Sequence, residues 1–161
     1  MATECEWVRI EREFDAPIET VWWMWTDPAL FASWYGPNGA RVEVRVMDAV
    51  VGGQRHFSMS MDMPDRTMTM WFVGEYLKVE QPTQLAYTES MSNEQGDVLS
   101  PQSMGMPDGH PETTEIIVEL DDAGGSTQMT MTHVGVPADS GGAGGWQQAI
   151  EKLAAVLAGR R

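Results

Sequence analysis

His133, Tyr87 and Glu89 are the side chains of this 161-residue chain whose types suit acid–base chemistry on an apolar molecule. Tyr87 and Glu89 stand two residues apart, so a strand would put the phenol and the carboxylate on one face. His133 follows Met129 and Met131 at the same spacing and shares their phase, which turns it toward the interior. An imidazole there can move a proton or anchor a ligand through a hydrogen bond. The three together could enolise a ketone, the step that a cyclase or aromatase needs. A core histidine satisfied by a neighbouring polar group is the competing account of His133.

Thirteen methionines form a second chemical signal. Met59/Met61/Met63, Met68/Met70, Met104/Met106 and Met129/Met131 repeat as Met-x-Met. Thioethers are soft ligands that suit Cu(I), but the same spacing on a strand lines one face with an adaptable apolar filler. Three of the four groups lie on segments that read as strands with polar opposite faces. They are therefore expected to shape an apolar interior and to bind no metal. The three histidines are scattered, with no His-x-x-x-His or cysteine spacing beside them, so no zinc site is expected. The glycine pairs at 52–53 and 144–145 lack the Lys and Ser/Thr of a phosphate loop and read as a bulge and the approach to a helix. No cofactor is expected.

Elements must position these groups. Residues 6–14 alternate, with Val8, Ile10, Arg12 and Phe14 on one face against Trp7, Arg9, Glu11 and Glu13, the period of a strand. Asp15-Ala16-Pro17 stops it, and Pro17 suits the first turn of a helix over 18–26. Asp27-Pro28 starts a second, short helix through Trp34, closed by Tyr35-Gly36-Pro37-Asn38-Gly39. Strands follow at 41–46, 54–63, 67–79 and 84–91, and a hairpin of 113–120 with 126–134 turns at Asp121-Asp122-Ala123-Gly124-Gly125. After the glycine-rich run 140–145, Trp146, Ala149, Ile150, Leu153, Ala154 and Leu157 form the buried stripe of a C-terminal helix. Short turns throughout imply an antiparallel meander. The expected fold is α+β: a curved antiparallel sheet wrapped around the long last helix, with two short helices between the first and second strands. A single domain spans residues 1–161.

Several strings carry a resemblance. They are Phe14-Asp15-Ala16-Pro17-Ile18-Glu19-Thr20-Val21-Trp22, Thr26-Asp27-Pro28 leading to Trp34-Tyr35-Gly36-Pro37, and Val51-Gly52-Gly53 before Phe57. Gly74-Glu75-Tyr76, Gln81-Pro82-Thr83-Gln84-Leu85-Ala86-Tyr87-Thr88, Met129-Thr130-Met131-Thr132-His133 and Gly145-Trp146 follow in order. Over almost the whole chain this resembles the START-like helix-grip (SRPBCC) superfamily. Within it, the chain looks like the group named after the C-terminal domain of the activator of the heat-shock-protein-90 ATPase. The resemblance implies the helix-grip fold. It leaves the activity open, since the group includes co-chaperone domains and proteins that shield cells from toxic small molecules, and the superfamily adds lipid carriers and polyketide cyclases.

Ten Lys and Arg against 24 Asp and Glu give a net charge of -14, which opposes nucleic acid and anionic membrane surfaces. No apolar run reaches the roughly 20 residues of a membrane span. The acidic residues 1–6 do not read as a secretory signal, and the lone Cys5 supports no disulfide framework. A cytoplasmic location is expected. Between Lys78 and Lys152 there is no Lys or Arg, while half of all the acids fall there. That segment reads as a solvated face or as a docking surface for a basic partner.

The expected function is the binding of a small apolar or aromatic molecule in an internal cavity, placed ahead of catalysis. The expected lining is Phe57, Met59, Met61, Met70, Phe72, Leu85, Tyr87, Met129, Met131 and His133 from the sheet. Trp146 and Ile150 join from the last helix, and Trp25 and Trp34 from the short helices. Trp23 or Trp7 would face a partner subunit. A polyketide cyclase or aromatase-type enzyme using His133, Tyr87 and Glu89 is the second reading, and a protein-binding co-chaperone-like module using the acidic face is the third. Residues 92–112 form a loop long enough to be a lid, a dimer contact or disorder. A protein partner or homodimer stays open, as do the ligand and whether methionines fill the cavity.

Overall fold

The computed structural model describes residues 7–104, 111–138 and 141–159; Cys5, Met106, Asp108, His110, Asp139 and Ser140 lie outside the described residues. The strands are β1 (Trp7–Phe14), β2 (Arg41–Met47), β3 (Gln54–Asp62), β4 (Thr67–Glu80), β5 (Gln84–Ser92), β6 (Thr113–Asp122) and β7 (Thr127–Pro137). The helices are α1 (Ile18–Thr26), α2 (Pro28–Ala32) and α3 (Gly141–Gly159). All seven strands join one antiparallel, curved sheet in the order β1-β7-β6-β5-β4-β3-β2. The helices cover its inner face, which is the expected α+β helix-grip arrangement.

Side-chain period sets the faces. In β1, Val8, Ile10 and Phe14 are buried while Arg9, Glu11 and Glu13 are exposed. In β7 the buried set is Thr127, Met129, Met131 and His133. Adjacent strands keep this register, so Tyr87, Ile116, His133 and Val8 form one inward row and Leu85, Val118, Met131 and Ile10 the next. Against these rows pack Trp25 and Phe31 from the short helices and Ile150, Leu153 and Leu157 from α3.

Local chemistry explains the helix ends. Asp27 Oδ1 accepts the Ala29 and Leu30 backbone N–H groups at 3.0 and 3.1 Å, and Pro28 fills the next position, so α2 starts there. α3 differs from the sequence expectation, because the glycine run forms its first turns instead of preceding it. Each glycine disfavours helix by about 1 kcal/mol relative to alanine. Packing of the Trp146 stripe overrides that, since tertiary contact rather than propensity supplies most helix stability.

Three glycines are required by the backbone. Gly52 has φ +84°, in the β2–β3 turn, and a Cβ on Gly53 would fall 1.9 Å from the Asp48 carbonyl oxygen. Gly74 lies where β4 closes on β5; a Cβ there would fall 1.8 Å from the Thr88 carbonyl oxygen. The start of the long loop is folded. Asn93 Oδ1 accepts the N–H groups of Gln95 and Asp97, Leu99 N–H donates to the Met91 carbonyl at 2.9 Å, and a 3-10 turn follows at Pro101–Met104. Residues 105–110 of that loop are outside the described set. Among the described residues no helix is long and apolar enough to cross a membrane.

Candidate functional site

The polar heart of the interior is a residue that the sequence reading passed over. Arg55 of β3 shares the inward phase of Phe57 and is 1% exposed. Its partner on β4 is Gly74, which has no side chain, so the guanidinium reaches past that strand to β5. Its Cζ lies 3.7 Å from the centre of the Tyr87 ring, and Nη1 lies 3.6 Å from Glu89 Oε1. Phe31, Phe57 and Tyr76 stand around the same guanidinium at 5.2 to 5.6 Å. The arrangement is a buried cation enclosed by rings, with one carboxylate just beyond hydrogen-bond range.

Tyr35, in the turn after α2, ties the cluster together. Its hydroxyl donates to Glu89 Oε1 at 3.0 Å and meets the Tyr87 hydroxyl at 3.0 Å. Since the Tyr35 proton goes to Glu89, the Tyr87 hydroxyl is the donor of the second bond. A chain Tyr87–Tyr35–Glu89 results. Burial lifts the Glu89 carboxyl above the ordinary range, while Arg55 and the Tyr35 hydrogen bond pull it back. Burial likewise raises the phenols of Tyr35 and Tyr87, so both stay protonated. For Arg55 burial works against the charge, the nearby Glu89 favours it, and the guanidinium stays protonated.

His133 belongs to a neighbouring chain of bonds. Trp146 Nε1–H, a pure donor, gives its proton to His133 Nδ1 at 2.8 Å. A neutral imidazole accepting at Nδ1 carries its hydrogen on Nε2, which then donates to Thr114 Oγ1 at 2.8 Å. Thr114 in turn donates to the Glu89 carbonyl at 3.3 Å. The imidazole is thus oriented by α3 and β6 together. Tyr87 and Glu89 are successive positions on one face of β5, whereas His133 lies on β7, with Ile116 of β6 between it and Tyr87 in register. Tyr87 and Glu89 connect through Tyr35, and His133 reaches Glu89 only through Thr114 and a backbone carbonyl.

The other expected lining residues divide into two groups. Phe57, Leu85, Met129, Met131, Ile150, Trp25, Trp34 and Trp146 are buried, and Phe72 sits at the margin of the core. Trp25 contacts Trp34 at 4.7 Å and stacks on Trp146 at 6.2 Å, while Phe57 stacks on Phe72 at 5.2 Å. Met59 and Met70 pair across β3 and β4 and are half-buried at the edge of this core. Met61 pairs with Met68 further out and is outside it. Trp23 is 47% exposed, whereas Trp7 is half-buried.

Several donors in this interior find no protein acceptor among the described residues. They are Trp25 Nε1, the Nε, Nη1 and Nη2 of Arg55, and the Tyr76 hydroxyl. Buried polar groups are nearly always paired, so such a surplus of donors in an aromatic interior calls for a complement. Among the described residues no three His, Cys, Asp or Glu side chains are grouped to hold a metal ion.

Comparison with known proteins agrees with this architecture. A protein from Arthrobacter aurescens superposes with a TM-score of 0.78 at 24% identity, covering 99% of this chain and 90% of its own. One from Staphylococcus epidermidis gives 0.76 at 24%, covering 100% and 96%. One from Nitrosomonas europaea gives 0.75 at 21%, covering 100% and 99%. At such identities the likeness is one of fold. Among proteins of curated function none matches the chain. The family model described as Activator of Hsp90 ATPase homolog 1-like protein matches residues 15–158, and the chain belongs to that family.

Proposed function

We propose that this domain binds one small, largely apolar or aromatic molecule in its interior, between the sheet and α3, in a cytoplasmic setting. The observation that carries the reading is the combination of stacked aromatic walls with buried donors that no protein acceptor takes up. Such walls hold planar or lipid-like molecules, and a few fixed polar groups set their orientation. Burying about 200 Å² of ligand surface gains on the order of 5 kcal/mol before the costs of association, which alone reaches no better than sub-millimolar affinity, so oriented hydrogen bonds must supply the rest. Planar apolar probes should quench the intrinsic tryptophan emission saturably, at one site per chain. Phe57→Asp or Met131→Glu, in preparations whose far-ultraviolet circular dichroism matches the parent and which therefore still fold, should abolish the effect. An absence of saturable quenching by every apolar probe would overturn the reading and favour a protein-binding module with a filled core.

Proton transfer is the second reading, favoured by one observation. The Tyr87–Tyr35–Glu89 chain ends on a carboxyl that burial lifts toward its neutral form. Turnover of an enolisable polyketide-like ketone, lost in Glu89→Gln, would put catalysis first; no turnover would leave binding alone.

A further inference from the structure

We infer that the molecule held in this interior is an organic acid, its anionic group seated on the Arg55 guanidinium beside the Tyr76 hydroxyl and its apolar body among the aromatic rings. The inference rests on the small-molecule reading above and adds the chemical class. Arg55 is a fixed positive charge in the core, 1% exposed, with none of its three nitrogens hydrogen-bonded among the described residues. The Tyr87 ring covers one face of the guanidinium at 3.7 Å, so its donors point outward in the guanidinium plane. Glu89 approaches Nη1 alone, at 3.6 Å, and already receives the Tyr35 hydroxyl. That leaves a fork of N–H groups, which matches the two oxygens of a carboxylate better than a neutral acceptor.

The surplus is one-sided. Arg55 has three nitrogens that can only donate; the Tyr76 hydroxyl, whose ring centre is 5.6 Å from Arg55 Cζ, can accept from one of them and then still has its own proton to give, so donors remain in excess. The complement of a donor cluster is an acceptor, and the complement of a buried cation is an anion. Charge balance is available as well, because Glu89 is drawn toward its neutral form by burial and can hold a proton when a second anion arrives. The rings of Phe31, Phe57 and Tyr87 around the guanidinium supply the contact for an apolar body, which a free inorganic anion or acetate would not use.

Calorimetric titration of the full chain with three probes tests this. 2-Naphthoate has both parts, 2-acetylnaphthalene has the same body with a neutral acceptor, and acetate has the carboxylate alone. The expected result is that naphthoate binds tighter than the ketone by on the order of 10- to 100-fold, the range for hydrogen bonds to a charged group. Acetate should bind at least as weakly as the ketone. In Arg55→Met the lead of the acid should vanish, the acid losing far more affinity than the ketone. Equal binding of acid and ketone by the unaltered protein, a measurement that needs no variant, would overturn the inference and leave the small-molecule reading intact. Acetate binding as tightly as naphthoate would overturn it in favour of a simple anion site. Failure of both naphthalenes to bind would overturn the inference together with the reading on which it rests.

Discussion

Replacing Arg55 by methionine removes the buried cation and leaves Glu89 in place, and the structure sets the scale of the result. At 3.6 Å the Arg55–Glu89 attraction is about 4–5 kcal/mol for an effective dielectric constant of about 20. The guanidinium over Tyr87 adds about 2 kcal/mol. Opposing these are a desolvation penalty of several kcal/mol and about 1–3 kcal/mol for a buried donor without an acceptor. The two sides nearly cancel, so the loss of Arg55 alone should leave a folded protein. The abandoned carboxylate decides the rest. Burial raises the Glu89 pKa and Arg55 holds it down, so in Arg55→Met the folded-state value climbs further while the unfolded value stays at about 4.3. A folded-state pKa above the unfolded one gives a contribution fully present below the unfolded pKa and lost as pH rises through the folded one. The deficit of Arg55→Met relative to the unaltered protein should therefore be smallest near pH 5 and larger at pH 8. It should grow by about 1.4 kcal/mol for each unit that Glu89 gains. Urea unfolding at the two pH values measures it, with Arg55→Met/Glu89→Gln as the control whose deficit should not change with pH. An equal deficit of the single variant at both pH values, or a pH slope that survives Glu89→Gln, would refute the reasoning.

Gly74→Ala puts a methyl group 1.8 Å from the Thr88 carbonyl oxygen, so it should destabilise by about 3 kcal/mol or prevent folding; a thermal midpoint within 2 °C of the parent, about 0.7 kcal/mol or less, would contradict the β4–β5 contact. Trp146→Phe keeps a ring against Trp25 but strips His133 Nδ1 of its donor. Chemical denaturation should show a loss of about 1–3 kcal/mol, and no loss would mean that the Trp146–His133 bond contributes nothing. Asp27→Ala removes the acceptor for two α2 backbone N–H groups and should cost about 1 kcal/mol, whereas Asp27→Asn should recover most of that stability in the same assay.

Period-two alternation made most of the fold legible. The inward set of β1 and the phase of Met129, Met131 and His133 all follow from it. It also placed Tyr87 and Glu89 on one face. Arg55 was equally available, two residues before Phe57 in the same phase, but a charged residue at a strand's start reads as solvent-facing unless the phase is followed through it. Tyr35 had no such signal. It lies in a turn, and its bonds to Tyr87 and Glu89 join groups more than fifty residues apart in sequence. The burial of the methionines was legible only in part, because phase tells which face a side chain takes and not how far the helices cover it. Along β3 that cover is complete at Phe57, partial at Met59 and Met61, and lost by Met63, which is 40% exposed.

The pairing of the first strand with the last has a consequence for how the chain is made. Val8 meets His133 and Ile10 meets Met131, partners about 120 residues apart. At roughly 5–20 residues per second, some 6–24 s pass after β1 leaves the ribosome before β7 exists to receive it. Throughout that interval the apolar residues of β1, Val8, Ile10 and Phe14, lack the strand that pairs with them. The local hairpins β3–β4, β4–β5 and β6–β7 can close as they emerge, whereas docking of the N-terminal strand must await the C-terminal third. Pairing at so long a separation carries a larger closure entropy than the local hairpins do. The nascent N-terminal segment is accordingly the stretch that a trigger-factor-like holdase would have to shield, and a C-terminal truncation removing β7 would leave it exposed permanently.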